Sequence, residues 1–169
     1  MEKLRNANQA QAIGYVLAGG LVAGTLDIAY ACVFWGLKAG TSPERIFQSV
    51  AAGILGRDSF KGGVATAALG LFLHYFIATV MSVTYFLVAR HWTTLRERPI
   101  ACGAAYGLVL YGVMNYVVLP LSAAGGGSGP ALWIALSIIV HMFLIGVPIA
   151  LFARRAFGTV GPVEQLHHA

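Results

Sequence analysis

The chain has 169 residues, 58% of them hydrophobic and only 10% charged, with a mean hydropathy of +0.75. Soluble domains carry about 25% charged residues, and a small fold leaves much of its area facing solvent, so this composition excludes an ordinary soluble domain and makes the lipid bilayer the partner of the apolar surface. The net charge of +5 sits in loops and tails, which reads as a membrane-topology signal and speaks against a nucleic-acid partner.

Only helices and closed barrels satisfy every backbone polar group inside a bilayer, and the apolar runs here are longer than barrel strands of about 10 residues. The predicted fold is all-α: a polytopic bundle of four transmembrane helices at about 12–37, 64–89, 100–121 and 131–153, forming a single domain over 1–169. Each run reaches the roughly 20 residues needed to cross about 30 Å of hydrocarbon. The first follows Lys3 and Arg5 and contains Ala29-Tyr30-Ala31, a small-x-small pattern like a signal-peptide cleavage site. Its apolar run continues through Val33-Phe34-Trp35 and holds an Asp, so it is read as a retained helix.

Between the first two spans, Ser42-Pro43-Glu44 has the pattern of an N-cap, a first-turn proline and a first-turn acid. Ile46, Phe47, Val50, Ile54 and Leu55 then recur at helical spacing before Gly56. An amphipathic helix over about 43–56 is predicted, either lying in the interface or covering the bundle. Pro120 is expected to stop the third span and Pro148 to kink the fourth. Trp35 and Trp133 read as belt residues, as does Trp92 beside His91 at the end of the second span. His167 and His168 lie in a polar tail. Cys32 and Cys102 fall toward opposite faces, with no CxxC or zinc spacing, and read as buried thiols.

Seven basic residues (Lys3, Arg5, Arg90, Arg96, Arg98, Arg154 and Arg155) fall on one side and four (Lys38, Arg45, Arg57 and Lys61) on the other. The positive-inside rule then puts both termini in the cytoplasm. The halves also align without gaps inside the helices. Gly19, Gly24 and Asp27 match Gly107, Gly112 and Asn115, while Ala68, Leu69, His74 and Phe76 match Ala135, Leu136, His141 and Phe143. This suggests a parallel duplication of a two-helix unit.

The polar groups inside the spans are Asp27, His74, Asn115 and His141. Asp27 lies ten residues before the end of its apolar run and Asn115 six before the end of its own, while His74 and His141 each lie ten after the start of theirs. At 1.5 Å per residue they form one layer near mid-depth. Asp27 shares a face with Gly20 and Gly24, and His74 with Ala67, Gly70 and Ala78; Asn115 lies one turn from Tyr111, and His141 one turn from Ser137. Small residues mark helix–helix contacts, so the layer is expected to point inward.

Three readings stay open. The layer fixes packing, although membrane polar contacts average only about 0.6 kcal/mol against about 2.5–3.5 kcal/mol for a central Asp. It moves protons, ions or a small solute, with Asp and His as proton carriers. Or His74 and His141 ligate haem or a metal ion for electron transfer, with Gly70 and Gly146 making room for a macrocycle. No HExxH, GxSxG or intramembrane carboxylate pair supports hydrolytic catalysis. Four helices enclose little volume, which favours a homo-oligomer for a transporting form.

Phe34-Trp35-Gly36, followed by Pro43, Arg45 and Phe47, resembles the region after the first helix of the YagU-like bacterial inner-membrane proteins. The layout of a His-bearing second helix, a third ending near Pro120 and a His-bearing fourth is similar too. The first loop is shorter and the third more glycine-rich than in that family. The resemblance implies a small bacterial inner-membrane protein of unestablished activity and carries over no site residues.

Overall fold

The computed structural model describes residues 2–125 and 129–164. His167, His168 and the centre of the glycine-rich third loop lie outside them. Six helices follow in order: α1 (Glu2–Ala39), α2 (Pro43–Leu55), α3 (Gly63–Ala89), the single turn α4 (Thr94–Glu97), α5 (Pro99–Leu121) and α6 (131–164). A 3-10 segment, Gly56–Lys61, joins α2 to α3. Among the described residues there is no strand.

Helices α1, α3, α5 and α6 are each long and apolar enough to cross a membrane. Large apolar side chains remain exposed on all of them, among them Ile13 at 60%, Phe72 at 65%, Leu108 at 48% and Phe143 at 51%. Soluble monomers rarely expose apolar surface on this scale; with four helices long and apolar enough to cross a membrane, this is a multi-pass membrane protein. Two helices exceed their predicted bounds of 12–37 and 131–153. Glu2–Gln11 contains no helix breaker and extends α1 by nearly three turns, and 154–164 extends α6. Polarity ends the span in both places without ending the helix, although Gly158, Gly161 and Pro162 lie within the α6 extension. The N-terminal part of α1 meets the C-terminal part of α6, with Ala12 and Val16 against Ala156, so α1 begins and α6 ends on one side of the bundle.

Helix α6 is the hub. α1 packs along its C-terminal half, α5 packs on its middle, and α3 fills the gap beside α1. The core lies toward the chain ends, where Ala23, Tyr85, Ala89, Ile149, Ala150 and Ala153 are buried together. The α1–α3 seam closes over small residues as expected: a Cβ on Gly20 would meet Thr79 Cα at 2.7 Å, and one on Gly24 would meet Ala78 Cβ at 3.1 Å. Buried Ser82 adds a hydrogen bond to Val16 O at 2.7 Å.

The contacts do not follow the sequence alignment of the two halves. Gly24 packs against Tyr75 and Ala78, whereas its counterpart Gly112 meets nothing within 4 Å; Gly107 instead abuts the main chain of His141. α1 also lies along α6 without a comparable α3–α5 seam.

Helix α2 forms as its cap predicts: Ser42 Oγ accepts from Arg45 N–H at 3.4 Å, Pro43 opens the first turn, and Gly56 ends the helix at φ 59°. Its buried face differs from the apolar stripe, comprising Ile46, Gln48, Ala51 and Ala52, while Ile54 and Leu55 are exposed. An apolar helix between a bundle and lipid has two apolar neighbours. The main chain of Phe47 and Ala51 abuts Gly70 of α3, while Ile54 and Leu55 face outward. Gln48 donates to Gly63 O at 3.1 Å, tying α2 to the start of α3.

Both long helices of the second half contain a π turn, Met114–Val118 in α5 and His141–Gly146 in α6. Each precedes a proline. Pro120 and Pro148 have no N–H for the carbonyls of Tyr116 and Leu144 four residues back, and their rings crowd those carbonyls. Widening to i→i+5 relieves the conflict: Leu119 N–H bonds Met114 O and Val147 N–H bonds Met142 O. Pro120 also sits in the last turn of its helix, as expected. Pro148 produces a π turn reaching back to His141 rather than a simple break.

Candidate intramembrane site

The α2 half of the bundle holds a cavity of about 830 Å³. Asp27 of α1, His74 of α3, Asn115 of α5 and His141 of α6 all line it. Each is half-buried. Met81 and Ile145 close the narrow end, resting on the core. Below them Tyr106 hydroxyl donates to Met81 O at 2.8 Å and packs edge-on against Tyr85 at 5.0 Å. Helix α2 roofs the wide end through Arg45, Ser49 and Gly53. The third loop is pinned to that roof by Ala123 N–H bonding Gly53 O at 2.9 Å.

Hydrogen bonds fix what the polar side chains present. His74 Nε2 lies 2.8 Å from Gly24 O. A carbonyl only accepts, so Nε2 carries the proton, and neutral His74 keeps a lone pair on Nδ1. His141 Nδ1 lies 2.8 Å from Ser137 O, so the same reasoning leaves the lone pair on Nε2. Asn115 Nδ2 donates to Tyr111 O at 2.9 Å, which leaves its carbonyl oxygen free. Three hydrogen-bonding carbonyls thus use N–H groups of three layer residues. Among the described residues the ion pair found is Lys61–Asp58, far from this layer, and the Asp27 carboxylate has no hydrogen-bond partner.

Features that sequence reasoning missed complete the wall. Trp35 and Trp133, expected as belt residues, line the cavity and lie 5.3 Å apart by ring centroids. Tyr30 stacks on Trp133 at 5.1 Å and Phe34 meets it at 4.9 Å. Aromatic spacing of four along α1 (Tyr30, Phe34) was the available signal. Tyr111 meets the His141 ring edge-on at 5.4 Å. Arg45 reaches the cavity from α2, its guanidinium 4.7 Å above the Phe60 ring.

The residues fit a haem or metal centre poorly. Gly70 and Gly146, expected to leave room for a macrocycle, are filled contacts, Gly70 against Phe47 and Gly146 against Gly103 and Gly107. His74 uses Nε2, the nitrogen an axial haem ligand needs, in its bond to Gly24 O. Among the described residues no three His, Cys, Asp or Glu side chains converge at metal-binding distance. A single chain already borders a cavity within the 300–1,000 Å³ range of small-molecule sites.

Compared with known family models, curated proteins and solved structures, the chain matches none. The site's chemistry must be read from its own geometry.

Proposed function

We propose that this protein carries a small solute across the membrane, with Asp27 exchanging a proton as the solute enters or leaves. The observation that carries this reading is the convergence of one polar residue from each of the four spans on a single cavity, closed at one end by the core and roofed at the other by α2. A layer serving only packing would fill its own space, yet these four residues border about 830 Å³ of it. Burying a lone carboxylate in a span is costly, and a group that gains and loses a proton or a ligand has a reason to be there. His74 and His141, each keeping one ring nitrogen, stand ready to pass the proton on. Placement in a bacterial inner membrane, kinship with the YagU-like proteins and cytoplasmic chain ends belong to the same proposal. The seven-to-four distribution of basic residues supports that orientation.

The test uses full-length protein in liposomes loaded with a pH-sensitive dye, challenged with cationic, neutral and anionic small solutes. Solute-dependent proton movement in the wild type that vanishes in Asp27→Asn is expected. If no solute of any charge class moves the internal pH beyond the protein-free rate, the carrier reading is wrong.

A further inference from the structure

We infer that the solute is a protonated primary amine whose ammonium group is held by Asp27; this rests on the carrier reading above. The deep part of the cavity is an acceptor surface. Asp27 offers a carboxylate and Asn115 its carbonyl oxygen, and His74 Nδ1 and His141 Nε2 are the ring nitrogens left without a protein partner, because Gly24 O, Ser137 O and Tyr111 O already take N–H groups from the other three. Acceptors left in a low-dielectric site call for a ligand rich in donors. A primary ammonium brings three N–H groups and the positive charge that Asp27 lacks.

The titratable and charged groups around this point are His74 on α3, Tyr111 and Tyr116 on α5, His141 on α6, Tyr30 on α1 itself and Arg45 on α2. The cation among them, Arg45, is at the roof and stacked over Phe60, so it leaves the Asp27 carboxylate without an ion pair. Above the polar layer, Trp35 and Trp133 provide apolar, electron-rich walls for the hydrocarbon body of the amine, and aromatic faces also favour a nearby cation. The ligand class is therefore a lipophilic primary ammonium: one charged donor end and one apolar body. Exchange at Asp27 balances simply. The carboxylic acid releases its proton to water as the ammonium enters from one side, and the carboxylate takes a proton from water as the same ammonium leaves, so one proton exchanges for each ammonium.

The experiment is calorimetric titration of the full-length protein in detergent at neutral pH with three probes of equal skeleton. These are phenethylammonium, the uncharged 2-phenylethanol, and the N-trimethylated cation, which keeps the charge but has no N–H. Phenethylammonium is expected to bind at least about tenfold more tightly than either. Asp27→Asn should remove that preference and Asp27→Glu retain it. If Asp27→Asn does not fold, Asn115→Leu decides instead, by weakening the primary ammonium while leaving the quaternary one unchanged. Equal binding of 2-phenylethanol overturns the amine class and leaves the solute cavity standing. Absence of binding by all three probes, together with a silent liposome assay for every solute class, removes both.

Discussion

Gly20→Ala tests whether close backbone contact holds α1 against α3. A Cβ at Gly20 would stand 2.7 Å from Thr79 Cα and 3.1 Å from both Ala78 O and Thr79 N. All three are main-chain atoms, so no rotamer change relieves the clash. Relaxing the shortest contact from 2.7 Å to the 3.4 Å of ordinary packing moves the helices apart by about 0.7 Å. Overpacking of this kind costs about 1–3 kcal/mol, here near the upper end because backbone must move. Parting the seam also weakens the Ser82–Val16 and His74–Gly24 hydrogen bonds, each worth about 0.6 kcal/mol in a membrane. Alanine returns up to about 1 kcal/mol of helix propensity. The expected net loss is about 2–3 kcal/mol. Gly14→Ala is the control: its Cβ meets nothing within 4 Å, so it should be neutral or stabilising by up to about 1 kcal/mol. The assay is unfolding in mixed micelles by rising SDS mole fraction, followed by far-UV circular dichroism. Equal midpoints for the two variants would refute the reasoning, because helix propensity alone would then account for both.

Ser82→Ala removes the buried bond to Val16 O and should lower stability by about 0.6 kcal/mol, and by no more than about 1.7, in the same SDS titration; Ser82 does not line the cavity, so solute-driven proton movement should persist. Pro148→Ala restores an N–H opposite Leu144 O, which should tighten the π turn at His141–Gly146 toward α geometry. New hydrogen-exchange protection at residue 148 together with a diminished solute response is expected; protection with an undiminished response would show that the aim of His141 is immaterial.

The four spans were legible because hydropathy and length decide them, and the α2 cap because Ser42-Pro43-Glu44 encodes it locally. Depth and face arithmetic put Asp27, His74, Asn115 and His141 in one layer, and all four line the cavity. That arithmetic uses helical rise and periodicity, which are fixed along a span. Ends set by the helix rather than by the membrane were not legible, since the polar start of α1 carries no breaker and Gly158, Gly161 and Pro162 do not end α6. Nor were the glycine partners. Gly70 read as space and is a contact with α2, because sequence shows that a residue is small but not what approaches it. The π turns were half-written in Pro120 and Pro148: a proline marks the conflict at the carbonyl four residues back, while packing selects the π turn as its resolution.

Why the bundle opens at one end follows from side-chain size along α6. Toward the chain ends α6 presents Ala150, Ala153 and Ala156, all essentially fully buried, and Gly103 of α5 approaches so closely that a Cβ there would stand 2.9 Å from Ala150 Cβ. Helix axes can converge only where side chains are this small. Toward α2 the same helix carries Trp133, stacked on Tyr30 at a centroid distance of 5.1 Å and wedged against Phe34 at 4.9 Å. Rings of that size prop α1 away from α6. Between the two regimes lies the π turn that begins at His141, so the change from convergent to divergent packing falls at the polar layer. The cavity therefore narrows onto Asp27, His74, Asn115 and His141, and a solute entering from the α2 side meets aromatic walls first and the acceptor groups last.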